Sequence, residues 1–255
     1  MTIVESIILG IVEGLTEFLP ISSTGHLILV SHLLGIKQTD AHKTFEVAIQ
    51  LGSILAVVFL YKDRLFKDIQ LWKKLIVAFI PTGVLGFLLY KLIKSLFSPY
   101  IVSIMLIVGG IIFLVIEYLH RNKEYPIKSL DDVSYPKAFL IGVFQSFAMV
   151  PGTSRSGASI IGGLLLGLDR KVAAEFSFLL AVPTMFVATG YDVYKNYQVF
   201  QLDNWITLIT GFITAFIFAL ISIKLLLGFI KNHTFIPFGI YRIILGIIFL
   251  FVVLN

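Results

Sequence analysis

Residues 10–35 read GIVEGLTEFLPISSTGHLILVSHLLG, an apolar segment broken midway by Pro20, Ser22, Ser23, Thr24 and Gly25. Residues 142–167 read GVFQSFAMVPGTSRSGASIIGGLLLG and break at the same place. The landmarks correspond at an offset of 131 or 132: Gly10 with Gly142, Glu13 with Gln145, Pro20 with Pro151, Gly25 with Gly157 and Gly35 with Gly167. Farther on, Glu46 in KTFEVAIQLGS answers Glu175 in AAEFSFLLAVP. Self-similarity over this distance divides the chain into two related halves.

Around these stretches the composition is that of a membrane protein. The 255 residues are 58% hydrophobic and 14% charged, and the mean hydropathy is +0.96. Spans of the length a bilayer requires lie near 42–61, 75–94, 100–119, 172–192, 205–227 and 235–254. The expected fold is therefore all-α and polytopic: six full transmembrane helices plus two re-entrant helical hairpins, in a single membrane domain, 1–255. Repeat 1 is 1–120, with its re-entrant segment at 1–35. A polar linker, RNKEYPIKSLDDVSYPK, occupies 121–137. Repeat 2 is 138–255, with its re-entrant segment at 138–168.

Three full spans per half is an odd number, so the halves must be inverted. Loop charge gives an independent check. Loops 62–74, 121–137, 170–171 and 224–231 hold thirteen Lys or Arg, whereas the opposite loops hold five, Lys37, Lys43, Lys91, Lys94 and Lys195. The positive-inside rule places the richer set in the cytoplasm and both termini outside. The re-entrant segments then enter from opposite faces and their tips meet near the midplane, where irregular backbone survives only if buried or lining a watery cavity. The N-terminal run carries Glu5, Glu13 and Glu17 and has no basic leader, unlike a cleavable signal peptide. With no cysteine, disulfides and thiolate metal sites are excluded. The net charge of +5 is scattered over loops, which argues against a nucleic-acid partner.

The tips concentrate the polar chemistry. A helix over 3–18 puts Glu13 and Glu17 on one face, where they can share a metal. Pro20 stops that helix, and Ser22, Ser23 and Thr24 can cap a second one starting near Gly25, with His26 in its first turn. A hydroxyl-lined helix start binds anions through free N–H groups and the helix dipole. Ionisable groups inside a membrane segment are costly and default to function. The second tip, Pro151-Gly152-Thr153-Ser154-Arg155-Ser156-Gly157-Ala158-Ser159, repeats the turn with a cation in place of the anions. Arg155 can clamp a phosphoryl group or pair structurally with Glu13 or Glu17. The expected binding residues are Ser22, Thr24, Gly25, Gly152, Thr153, Ser154, Ser156 and Ser159. Carboxylates, serine, histidine, an anion nest and an arginine make a phosphoryl-transfer set. In a lipid-accessible fold the fitting substrate is a lipid pyrophosphate. Oxygen and nitrogen ligands with phosphate suit Mg2+ or Ca2+, and Mn2+ after them.

EGLTEFLPISSTGH and PGTSRSGAS resemble the two signature motifs of the undecaprenyl pyrophosphate phosphatase family, the bacitracin-resistance proteins. The similarity extends to KTFEVAIQLGSILAV at 43–57, EFSFLLAVP at 175–183 and FIPFGIYR at 235–242. It implies a divalent-metal-dependent phosphatase of the bacterial cytoplasmic membrane that recycles the C55 lipid carrier of cell-wall synthesis. The essential Glu, Glu, His, Ser and Arg of the family fall on Glu13, Glu17, His26, Ser23 and Arg155. Ser159 departs from the family's usual Thr but keeps the hydroxyl, with a modest effect expected, on helix capping.

Three routes of attack stay open at this level: a phosphoenzyme on His26, attack by Ser23 with His26 as base, or a water activated by Glu17. Glu46, Gln50 and Glu175 are expected to support the turns by hydrogen bonds. Trp72, Tyr191, Tyr194 and Trp205 are expected as interfacial anchors. The competing class is a lipid-carrier flippase or secondary transporter, because inverted repeats with broken helices are also transporter architecture. A homodimer is compatible with everything above.

Overall fold

The computed structural model describes residues 1–37, 39–120, 124–196 and 205–254. Residues 121–123 of the linker and the side chains of Lys43, Lys94, Tyr194 and Lys195 lie outside the described residues. The helices are α1 (Ile3–Thr16), α2 (Ser23–Leu33), α3 (Asp40–Leu60), α4 (Lys62–Lys67), α5 (Ile69–Leu88), α6 (Tyr90–Ser95), α7 (Pro99–Leu119), α8 (Tyr135–Ser146), α9 (Arg155–Leu165), α10 (Arg170–Asn196), α11 (Trp205–Phe229) and α12 (Ile236–Leu254). Four segments are long and apolar enough to cross a membrane: Ile69–Leu88, Pro99–Leu119, Arg170–Tyr191 and Trp205–Phe229. Phe45–Leu60 and Ile236–Val252 are shorter apolar helices. The span expected over 75–94 is in fact two helices. Asp68 caps the Leu71 N–H at 2.9 Å, so α5 begins six residues early and is already complete at Leu88.

Each interrupted stretch forms two helices joined by a turn, α1 with α2 and α8 with α9. Thr2 and Glu5 make a reciprocal capping box that starts α1. α1 packs on α11 and α8 packs on α5, while α3 packs on α11 and α10 on α5. The paired glycines explain how close these approaches are. A Cβ on Gly10 would stand 2.7 Å from the Gly211 carbonyl oxygen, and one on Gly142 would overlap the Ala78 carbonyl. Small residues let helix backbones meet where apolar solvent supplies little driving force. α7 and α12 pack against each other.

Contacts join the basic loop 62–74 to the linker, and the linker to the residues that start α10. Arg64 bonds Asp131 at 2.9 Å and Lys74 bonds the Asp131 carbonyl at 2.8 Å. The Arg64 guanidinium holds the Asp131 carboxyl below its ordinary range. The linker continues into a bridge between Ile127 and Leu168. Beside it, Glu117 at the end of α7 is buried and accepts from Arg170 Nε at 3.0 Å and from the Phe235 N–H at 2.8 Å. One carboxylate thereby ties three helices. Removing one partner of a buried pair strands the other, at about 3–5 kcal/mol. Glu117→Ala should lower the melting temperature of detergent-solubilised protein by roughly 10 °C, read by tryptophan fluorescence, with Asp131→Ala as the near-neutral surface control.

Candidate active site

The two tips are built alike. Pro20 ends the first descending segment, and the chain reverses into Ser22, whose φ of 71° lies in the left-handed region. Its Oγ accepts from the Gly25 N–H at 3.4 Å and its carbonyl from the His26 N–H at 3.3 Å. At the second tip Ser154 has φ 74°, and its Oγ accepts from the Gly157 N–H at 3.1 Å. A non-glycine residue in this conformation costs about 1–3 kcal/mol and persists only where its surroundings dictate it. Both strained serines are N-caps, and the first N–H groups of α2 and α9 are left without intrahelical acceptors. The two positive helix ends converge on one space.

That space is a cavity of about 130 Å³ lined by Glu17, Ser22, Ser23 and Thr24 of the first tip, and by Pro151, Gly152, Ser154 and Arg155 of the second. Gln50 of α3 and the apolar Phe97, Ala148, Met149 and Met185 complete it. Glu17 organises the polar side. Its Oε2 accepts from Ser23 Oγ at 2.6 Å and its Oε1 from Arg155 Nη2 at 2.8 Å. Arg155 also donates to the Ser177 carbonyl at 2.9 Å and lies over the Phe18 ring at 5.6 Å, while its buried Nε has no protein partner. A guanidinium fixed on two sides with N–H groups to spare can receive a phosphoryl oxygen without reorganising. The ion pair with Glu17 is thus present in the structure and leaves donors of Arg155 unused.

Glu13 is fully buried one turn before Glu17, and both its carboxylate oxygens lack a hydrogen-bond partner. Glu17, Glu46 and Arg155 are its charged neighbours. His26 is buried behind the cavity wall. Its Nδ1 lies 2.7 Å from the Ser22 carbonyl oxygen, so that nitrogen carries the proton, and its Nε2 lies 2.7 Å from the Tyr241 hydroxyl. The ring stacks on Tyr241 with 5° between planes. Both nitrogens are thus occupied, and neither meets Ser23.

The other expected binding residues divide. Thr24, Ser22, Gly152 and Ser154 line the cavity, whereas Gly25, Thr153, Ser156 and Ser159 do not. Ser156 instead donates to the Leu19 carbonyl at 2.9 Å, sewing one tip to the other. Ser159 Oγ lies 2.7 Å from Ser177 Oγ, so its hydroxyl links α9 to the residue that holds Arg155 rather than capping a helix. Gln50 reaches the cavity itself, Glu46 lies 3.1 Å from His42 Nε2, and Glu175 accepts from Tyr61 at 3.4 Å.

Arg242 of α12 falls in FIPFGIYR, a stretch to which the sequence reading assigns no role, and it is the most buried cation among the described residues. Its five N–H groups go to five carbonyls: Pro20 at 3.1 Å in the first tip, Gly152 at 3.0 Å and Thr153 at 2.9 Å in the second, and Met105 at 3.0 Å and Leu106 at 3.3 Å in α7. A Cβ on Gly109 would collide with it. A signal existed, since Arg155 and Arg242 are the two cations that the loop tally leaves inside apolar segments.

Comparison with known proteins bears on this geometry. The family model described as bacitracin resistance protein BacA matches residues 6–248. The chain is 71% identical over 254 residues to a protein of Persephonella marina named undecaprenyl-diphosphatase, with 100% of both chains covered. Proteins of the same name from Sulfurihydrogenibium sp. and Wolinella succinogenes are 71% and 66% identical, with 98% of each chain covered.

Proposed function

Because the chain belongs to the BacA family of bacitracin resistance proteins, we propose that it is an undecaprenyl-diphosphatase whose cavity between the tips removes the terminal phosphate of the lipid diphosphate. It is a multi-pass membrane hydrolase. The observation that carries the site assignment is the bridging of Ser23 and Arg155 by Glu17 at the cavity wall. That arrangement puts a nucleophile, its proton acceptor and a cationic clamp around one phosphate-sized space.

The hydrogen bonds of Glu17 support the following steps. Ser23 Oγ attacks the outer phosphorus and its proton passes to Glu17 Oε2. The bond to the bridging oxygen breaks, and the lipid monophosphate leaves. Arg155 and the free N–H groups at the starts of α2 and α9 take up charge on the phosphoryl oxygens. A water then attacks the phosphoserine, Ser23 regains the proton from Glu17, and inorganic phosphate is released. His26 acts as a positioning residue, holding the Ser22 carbonyl and hence the strained cap.

The residues fit a divalent cation. Glu13 does not itself line the cavity, but it offers two bare, buried oxygens beside Glu17, which does, and a cation of the Mg2+ or Ca2+ class between the two carboxylates would satisfy them. When bound, such an ion supplies Lewis-acid neutralisation of the diphosphate. Among the described residues no three His, Cys, Asp or Glu side chains cluster as a metal site, so Glu13 and Glu17 would hold it with help from the substrate. Phosphate release from a C55 polyprenyl diphosphate by the purified protein should stop with chelator. In Glu13→Gln, the cation concentration giving half-activity should rise about 10- to 100-fold. Release indifferent to chelator would refute the metal assignment.

The architecture we infer is the inverted repeat of six spans and two re-entrant hairpins in the cytoplasmic membrane, with both termini outside. The exchanged packing, α1 on α11 and α8 on α5, supports it, as do the matched strained serines and the contacts of the linker with loop 62–74 and the start of α10. The flippase alternative uses the same fold. The bridging of Ser23 and Arg155 by Glu17 favours chemistry over carriage.

A further inference from the structure

The polar side of the cavity holds the chemistry, and Phe97, Ala148, Met149 and Met185 make its apolar side. At about 130 Å³ the cavity is smaller than an engineered void of roughly 150 Å³ that holds a single benzene. It has room for a phosphate-bearing head group, and a polyprenyl tail must leave it. The polar side is occupied by the two turns, which Arg242 and Ser156 hold to each other. On the remaining side stand Phe97 from the α6–α7 connection, Met149 from the turn before α9, and Met185 of α10.

Phe97 reaches from the cavity to the outside of the bundle, being 59% exposed, and Met149 and Met185 are partly exposed. Phe147, two residues before Met149, and Phe186, next to Met185, are 62% and 48% exposed. The Met149 sulfur rests over Gly86 of α5, 3.7 Å from where a Cβ would be. Methionine is unbranched and adaptable, and so fits a chain with several conformations.

Resting on the phosphatase reading above, we propose that Phe97, Met149 and Met185 form a lateral portal that seats the first isoprene units of the substrate. The portal fixes the direction in which the tail departs. It therefore presents the terminal phosphorus to Ser23 and keeps the lipid-linked phosphorus on the far side.

The test uses the whole purified protein and a farnesyl diphosphate analogue carrying a benzophenone on its first isoprene unit. The expected result is that the protein hydrolyses the analogue and, on irradiation, that the label maps to Phe97, Met149 or Met185 and is suppressed by excess substrate. Hydrolysis with the label on α2, α11 or another segment overturns the portal and leaves the phosphatase reading standing. If folded protein hydrolyses neither the analogue nor the C55 diphosphate, both readings fall. A second measurement compares the C15 diphosphate with inorganic pyrophosphate, which has no tail, in Phe97→Ala and Met185→Ala proteins of unaltered melting temperature. The ratio of kcat/KM for the C15 diphosphate to that for pyrophosphate should fall about tenfold, in the range that small changes to an apolar pocket produce. The fall should include kcat, because the tail orients the reacting end, and an unchanged ratio overturns the portal.

Discussion

Ser23→Ala is expected to lower phosphate release by about four orders of magnitude, with a melting temperature within a few degrees of the parent. Ser23 is the hydroxyl that both faces the cavity and donates to a carboxylate, at 2.6 Å to Glu17 Oε2. Its removal takes away the attacking atom while the fold keeps its other ties. Glu17→Gln should come close to the same loss, because it discharges the proton acceptor and releases the Arg155 ion pair at once. His26→Ala should cost less, about 10- to 100-fold, and should also destabilise, since it leaves the Ser22 carbonyl and Tyr241 unpaired. If His26→Ala were inert and Ser23→Ala kept a few per cent of activity, the histidine would be the nucleophile and the assignment would reverse.

Arg242→Met should produce the opposite signature, a large loss of activity together with a large loss of stability. The side chain touches no cavity-lining polar atom of the first tip, yet its donors hold the carbonyls of Pro20, Gly152 and Thr153. Methionine fills comparable space but donates nothing, so those buried acceptors lose charge-assisted bonds worth about 1.5–3 kcal/mol each before relaxation. We expect a drop in melting temperature of roughly 10 °C or more and at least a hundredfold loss of kcat, because a displacement of about 1 Å between reacting groups is worth that much. Arg242→Lys should rescue little, since one ammonium cannot reach five carbonyls lying in three directions. Normal stability with lost activity would instead put Arg242 in contact with substrate.

The sequence was most legible where covalent and local rules act. The broken stretches revealed the turns, and capping chemistry placed the start of α2 within two residues, whereas α1 ends at Thr16, two residues before the expected end and four before Pro20. The carboxylates and Arg155 were recognisable because charge in an apolar run needs a reason. Partnership was harder to see. Whether Glu17 or Glu13 would hold Arg155 depends on how α9 meets α1, and the structure gives Glu17 the guanidinium and leaves Glu13 bare. His26 looked free in its motif because Tyr241, its partner, lies 215 residues away. The shift of α5 turned on one capping aspartate that a hydropathy window ignores. Phe97 and Met185 were lost among many apolar residues, since only tertiary packing distinguishes a lipid-facing side chain from a cavity wall.

The most direct measurement is a single-turnover reaction with undecaprenyl diphosphate labelled in its terminal phosphate, quenched in denaturant and washed free of lipid. The result expected is a transient label on the protein that survives acid, maps to Ser23 and is absent from Ser23→Ala. An adduct lost in acid would place the covalent step on His26, and turnover without any protein-bound label would mean that water attacks directly. Either outcome would contradict Ser23 as the nucleophile.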